Sequence, residues 1–277
     1  MTRVRNTLTC ILSLLTGLCL VFAFLGSTNW SNKVVYGSSC DTNGGLIPDL
    51  RTVVPQHLQI VNQQQREILR LTNGIANTGE GAWQMVPVIP ADKNSPQKAN
   101  QQFLDSSGNI VATCPTDSES VYHPAHKHFH ISGVASFAVR SGSVGGPLVG
   151  DSLKVTSCLI DWVRLEGNSP DSERGYSSCD SGVQGITPGW VDQYHMALEG
   201  QSIDITGSPP GTYYLVSEAN TGSKENPTRF FIEEDYSNNK AWVSFDLVRD
   251  SNGNAKIKIT GHSPCSGGLC GEDFPNR

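Results

Sequence analysis

Turn residues punctuate this chain at short intervals, and almost nothing between them keeps a helical period. Asn77-Thr78-Gly79, Ser106-Ser107-Gly108-Asn109, Gly145-Gly146-Pro147, Thr187-Pro188-Gly189, Pro209-Pro210-Gly211, Asn238-Asn239 and Asn252-Gly253-Asn254 all favour bends. Between them lie runs rich in β-branched and aromatic residues: Ile110 to Thr113, Ile131 to Val139, Tyr213 to Val216, Phe230-Phe231-Ile232 and Trp242 to Val248. Short strands at this spacing predict an all-β chain, with a β-sandwich core, long connecting loops and few helices. Only Asn62 to Leu71 offers a run of helix formers, at Gln63 to Glu67. Its tail Ile68-Leu69-Arg70-Leu71 is β-compatible and meets the Asn-Thr-Gly turn, so it reads as a strand. The 277 residues include 28 Gly and 15 Pro, with 17% charged, which fits one turn-rich domain with a sizeable core.

The start of the chain has a different character. Arg3 and Arg5 precede a largely apolar run from Leu8 to Leu25, the basic and hydrophobic parts of an export signal. The run is long for a signal and short for a spanning helix, so a cleaved signal and an uncleaved membrane anchor through residues 8–25 both fit. Either places the body of the protein in a secreted or extracytoplasmic setting, where disulfides persist. The expected organisation is residues 1–27 as signal or anchor, 28–45 as a lead-in and 46–277 as a single domain. Cys10 and Cys19 fall in the apolar run, which leaves Cys40, Cys114, Cys158, Cys179, Cys265 and Cys270 in the body. Six cysteines fit three bridges in any of fifteen pairings. Residues 1–27 carry two basic side chains and no acidic one, so 18 basic against 26 acidic residues leave the body at −8. That balance argues against nucleic acid as a partner.

The stretch Tyr122-His123-Pro124-Ala125-His126-Lys127-His128-Phe129-His130 carries the chemistry. If it is extended, His126, His128 and His130 point one way while Phe129 and Ile131 point the other, and the apolar side continues through Ala135, Phe137 and Val139. Three imidazoles on one face supply most of the ligands for copper or zinc, with His123 near enough to be a fourth. A histidine-rich surface turn without metal is the alternative.

Two further segments give the histidines a context: Lys154-Val155-Thr156-Ser157-Cys158-Leu159-Ile160-Asp161, and Gln184 to Tyr194 with Pro188-Gly189-Trp190-Val191-Asp192-Gln193-Tyr194. With Gln201 to Thr206, Pro210 to Tyr213, Glu234-Asp235-Tyr236-Ser237-Asn238-Asn239 and the earlier Ile68 to Leu71 and Asn77 to Gly79, the chain resembles the catalytic domain of the lysyl oxidase family over about residues 46–248. The resemblance implies copper on His126, His128 and His130, and a lysine tyrosylquinone cofactor formed from Lys154 and Tyr194. It implies an oxidoreductase acting on the CH–NH2 group of a primary amine or a lysine-containing protein, with dioxygen as acceptor and aldehyde, hydrogen peroxide and ammonia as products. Tyr194 is then expected to fold against the histidines. Asp192, two residues before Tyr194 and on the same face of a local strand, is the candidate base for the α-proton.

The resemblance also implies a Cys158–Cys179 bridge, which leaves Cys265 with Cys270 and Cys40 with Cys114. Asp161 and Asp204 match family positions, yet their apolar neighbours suggest sheet-edge roles. The chain departs from the family where Ala125 and Trp190 replace Cys and Tyr122 replaces Trp. Two other readings stand beside the oxidase. One is a non-catalytic exported copper-binding β-sandwich, since Pro210 to Leu247 also resembles extracellular binding modules. The other is a three-histidine zinc hydrolase, against which no Glu lies between Tyr122 and Val139 to serve as base, and which leaves Lys154 and Tyr194 without a role.

Overall fold

Where turn signals leave gaps, the chain pairs as strands. The computed structural model describes residues 40–89, 92–151, 156–167, 172–222 and 229–274. In chain order the strands are β1 (Leu50–Thr52), β2 (Gln56–Gln63), β3 (Arg66–Asn77), β4 (Trp83–Pro87), β5 (Gln97–Leu104), β6 (Ile110–His123), β7 (His128–Ser132), β8 (Ala135–Ser141) and β9 (Leu148–Asp151). They continue with β10 (Thr156–Ser157), β11 (Val163–Arg164), β12 (Gln184–Ile186), β13 (Trp190–Tyr194), β14 (Ser202–Asp204), β15 (Gly211–Ala219), β16 (Lys240–Arg249) and β17 (Ala255–His262). Among the described residues the only helix is the short 3-10 turn Gly267–Cys270. The protein is all-β, as the turn spacing predicts. No helix among the described residues is long and apolar enough to cross a membrane, and the expected signal or anchor at residues 1–27 lies outside them.

Among the described residues every strand pair is antiparallel, in three sheets. The first runs β1-β3-β13-β11, with β2 and β14 also paired to β3; the second runs β10-β7-β6-β5-β4-β12; the third runs β17-β16-β15-β8-β9. Their inner faces share one apolar core, in which Leu69, Leu71 and Ile75 from the first sheet meet Trp83, Met85 and Ile131 from the second and Phe137, Leu215 and Phe245 from the third. Three disulfides, Cys40–Cys114, Cys158–Cys179 and Cys265–Cys270, match the expected pairing. Such bridges persist in oxidising compartments.

Three expected strands differ in the structure. Asn62 to Leu71 is a hairpin: β2 ends at Gln63 and β3 begins at Arg66, with Gln64 and Gln65 at φ 51° and 63° in the turn. Two successive positive φ angles make the tight connection that matches strand twist, usually supplied by Asn-Gly, so two glutamines hid it. Ile131 to Val139 is broken at Gly133, φ 77°, where the chain leaves the second sheet and enters the third. A Cβ there would lie 2.4 Å from the Phe230 ring, so only glycine makes this corner. Phe230-Phe231-Ile232 is not a strand. Its backbone is bonded by side-chain amides: Asn220 Oδ1 accepts from the Phe230 and Phe231 N–H groups at 3.0 and 3.1 Å, and Gln101 Oε1 accepts from Ile232 N–H at 2.8 Å. The Asn220 amide also donates to Phe231 O at 2.9 Å and to buried Glu233 at 2.6 Å.

Replacing Asn220 by Ala therefore strands two buried N–H groups, while Phe231 O keeps only the longer bond from the Tyr236 hydroxyl at 3.3 Å. We expect Asn220→Ala to lose about 2–4 kcal/mol, read as a lower melting temperature with the disulfides intact. A melting temperature equal to wild type contradicts the role.

Candidate metal centre and adjoining cavity

The histidines arrive by a hairpin, not by one strand. β6 ends at His123, Pro124 to Lys127 turn, and β7 starts at His128, which pairs with His123. The His126 and Lys127 amides both donate to His123 O, at 3.1 and 2.8 Å, and Lys127 takes φ 60°. His128 and His130 share a face of β7 by alternation, as expected, whereas the turn delivers His126. Phe129 and Ile131 fill the core behind them with no exposure.

The donor atoms of His126, His128 and His130 lie within 4.8 Å of one another. His128 Nε2 and His130 Nε2 are 3.0 Å apart. Two nitrogens about 2.0 Å from a common ion at 90–109° are about 2.8–3.3 Å apart, so the arrangement fits a metal. Three imidazoles suit copper or zinc. His130 is only 7% exposed, and its Nδ1 sits 3.5 Å from Thr156 Oγ1 on β10, a long contact on the side a ligand uses for orientation. His123 is outside this group; its ring stacks on His126 at 4.1 Å between centroids.

β13 supplies the second half. It pairs with β3, with Asp192 opposite Ile75 and Gln193 opposite Gly74. A Cβ on Gly74 would meet Val191 at 2.7 Å, so its absence lets the two strands approach. The Tyr194 hydroxyl accepts from Cys158 N–H at 2.7 Å and donates to Cys158 O at 2.9 Å. Burial pushes this phenol well above its usual pKa, and the Asp192 charge adds to the shift. Asp192 is 3% exposed.

Tyr194, Asp192 and the three histidines line one cavity of about 580 Å³, with Cys158, Ile160, Trp162, Gln193, His195, Ala197, Leu198 and Glu199. The expected meeting of Tyr194 with the histidines is thus present as a shared wall. Lys154 lies outside the described residues. Trp162, His195, Leu198 and Glu199 were missed in the sequence. Adjacency to Tyr194 marked His195, but nothing local marked the others.

Asp161 is not on a sheet edge. It is fully buried, and its carboxylate accepts from the Gly175, Tyr176 and Thr187 amides at 2.8, 2.9 and 2.8 Å and from the Thr187 hydroxyl at 2.7 Å. It clamps the loop before β12 to the corner between β12 and β13. Asp204 does lie on the short strand β14, where Thr206 and then Arg66 hold its carboxyl down at about 2.

These features define an all-β, disulfide-bonded protein with a three-histidine group beside a half-buried tyrosine and a buried aspartate. The family model described as lysyl oxidase matches residues 105–253, just over half of the chain. The protein belongs to the lysyl oxidase family. A 119-residue stretch is 34% identical to lysyl oxidase homolog 2 of Rattus norvegicus, covering 43% of this chain and 14% of the relative. Lysyl oxidase homolog 2 of Xenopus tropicalis is 28% identical over 156 residues, 54% of this chain and 19% of the relative. Lysyl oxidase homolog 1 of Homo sapiens is 31% identical over 118 residues, 43% and 19% respectively. The chain therefore matches less than a fifth of the length of these relatives.

Loss of an outer partner alone costs a metal site about 10–100-fold, so His128→Ala should weaken copper binding at least about a hundredfold. Competition against a chelator measures it. A variant that holds copper as tightly as wild type removes His128 from the ligand set.

Proposed function

We propose that this chain is an exported copper-dependent amine oxidase that deaminates primary amines, peptidyl lysine among them, to aldehyde, hydrogen peroxide and ammonia. Its cofactor is a lysine tyrosylquinone made from Lys154 and Tyr194. The observation that carries the reading is the single cavity that holds the three histidines, Tyr194 and Asp192 within a lysyl oxidase domain. Export rests on the three disulfides and on the apolar run after Arg3 and Arg5.

His126, His128 and His130 hold the copper. When bound, copper supplies with dioxygen the oxidising power that makes a quinone of a phenol, and the quinone supplies an electrophilic carbonyl and a two-electron sink. The Cys158 backbone fixes the Tyr194 hydroxyl, while burial and then the Asp192 charge favour the neutral phenol. The Asp192 carboxylate takes the proton from the carbon next to the substrate nitrogen. Lys154 precedes β10 by two residues in the sequence, and β10 carries the Thr156 that faces His130.

A second reading, an exported copper-binding sandwich without catalysis, draws on the same tyrosine. A hydroxyl satisfied twice by backbone is also what a purely structural tyrosine has.

A redox-cycling quinone stain and a peroxide assay separate the two. Wild type should stain and release peroxide from simple alkylamines. Tyr194→Phe lacks the oxygen that becomes a quinone carbonyl, and Lys154→Ala lacks the linking amine, so each should fall below about a thousandth of wild-type turnover while keeping copper. An unstained, copper-loaded wild type that makes no peroxide overturns the oxidase and leaves the binding module.

A further inference from the structure

We propose that the cavity is a preformed slot for a primary ammonium with an apolar or aromatic tail, and that Trp162 and Leu198 are the side chains that select it. The inference rests on the amine-oxidase reading in taking the Asp192 and Tyr194 end as the place of the nitrogen.

Strand register sets up the first wall. Val163 of β11 pairs with Val191 of β13, and the Trp162 amide donates to Val191 O at 3.0 Å. One step beyond the ladder brings Trp162 level with Asp192. Directly opposed residues on antiparallel strands project to the same face, and both side chains do line the cavity. Trp162 is 62% exposed although its backbone is pinned. A single exposed apolar residue means little, but here Leu198, 46% exposed, lines the same cavity with Ile160 and Ala197.

The second wall is also fixed. Arg70 of β3 donates from Nε to Met196 O at 2.7 Å and from Nη2 to Leu198 O at 3.1 Å, and Met196 N–H donates to Thr72 Oγ1 at 2.9 Å. A slot held on both sides binds with little cost of ordering.

The chemistry of the lining names the ligand. A cation beside the Asp192 carboxylate and the Trp162 indole gains charge attraction and cation–π attraction. An apolar tail gains by leaving water against Trp162, Leu198 and Ile160. A second ammonium on that tail would lose its hydration against the same apolar walls. Glu199 is exposed on the rim, where water screens its charge. The slot therefore favours arylalkyl and long-chain monoamines over diamines.

N,N-dimethylbenzylamine tests this without turnover, because a tertiary amine cannot condense with a carbonyl. Calorimetry on the full copper-loaded protein should show it binding at least about tenfold tighter than trimethylamine, and Trp162→Ala and Leu198→Ala should each remove most of that advantage, with Trp162→Phe restoring part of it. In the peroxide assay, the kcat/KM ratio of benzylamine to 1,4-diaminobutane should fall about tenfold in Trp162→Ala. Circular dichroism melts identify any variant that fails to fold, and Trp162→Phe then stands for the position. Equal binding of the two tertiary amines, or variants that keep the wild-type preference, overturns the slot. Tight, Trp162-dependent binding without peroxide from benzylamine overturns the oxidase reading and leaves the slot standing.

Discussion

The two halves of the site belong to different sheets, and the bond that joins them is the double hydrogen bond between the Tyr194 hydroxyl and the Cys158 backbone. Tyr194 belongs to β13 in the first sheet, and Cys158 directly follows β10 in the second. Around this point the chain adds further ties. Cys158 is bridged to Cys179, Cys179 O accepts from the Phe129 amide at 3.1 Å, and Gln184 accepts from Leu159 N–H at 2.8 Å. Phe129 lies between His128 and His130. Movement of the tyrosine is thus coupled through one cysteine to the strand that carries two of the histidines.

A ligand strand needs a rigid back and a wet front, and β7 has both. The back is Phe129 and Ile131, fully buried. The front is His128 and His130, whose facing nitrogens are already spaced for one ion. His126 has no such back, because it sits in an exposed turn whose following residue has a positive φ. The pair is organised by the sheet and the third imidazole by the hairpin, so the ion itself does more to fix His126 than to fix the others.

Much of this was legible in the sequence, because local signals and local structure coincide. The Gly, Pro and Asn clusters do mark turns, the alternation about Phe129 does split His128 and His130 from the core, and the family pattern does give the Cys158–Cys179 bridge. What was illegible depended on partners far along the chain. Gln64 and Gln65 turn because β2 and β3 must pair with a tight connection, against their own preference. Phe230 to Ile232 looks like a strand but takes its hydrogen bonds from Asn220 and Gln101. Asp161 looks like an edge residue, yet the amides it binds come from residues up to 26 positions away. Trp162 and Leu198 carry no local sign of lining a cavity, since exposure of an apolar side chain is decided by what the fold leaves uncovered.

The family resemblance sets cysteines where this chain has Ala125 and Trp190, and that difference bears on how the site keeps its shape. Trp190 is half-buried; its indole N–H donates to Ser172 O at 2.9 Å, and its ring packs against the main core. A loop that a disulfide could have held is held instead by a hydrogen bond and apolar contact, together with the four bonds that Asp161 accepts. These ties act in the folded state, whereas a bridge acts largely by restricting the unfolded chain. The native geometry around β13 is therefore specified without that bridge, and the stability that a bridge would add must come from the core shared by the three sheets. Ala125 has no such substitute role. It is exposed in the turn before His126, which leaves that histidine dependent on the hairpin bonds to His123 and on the ion.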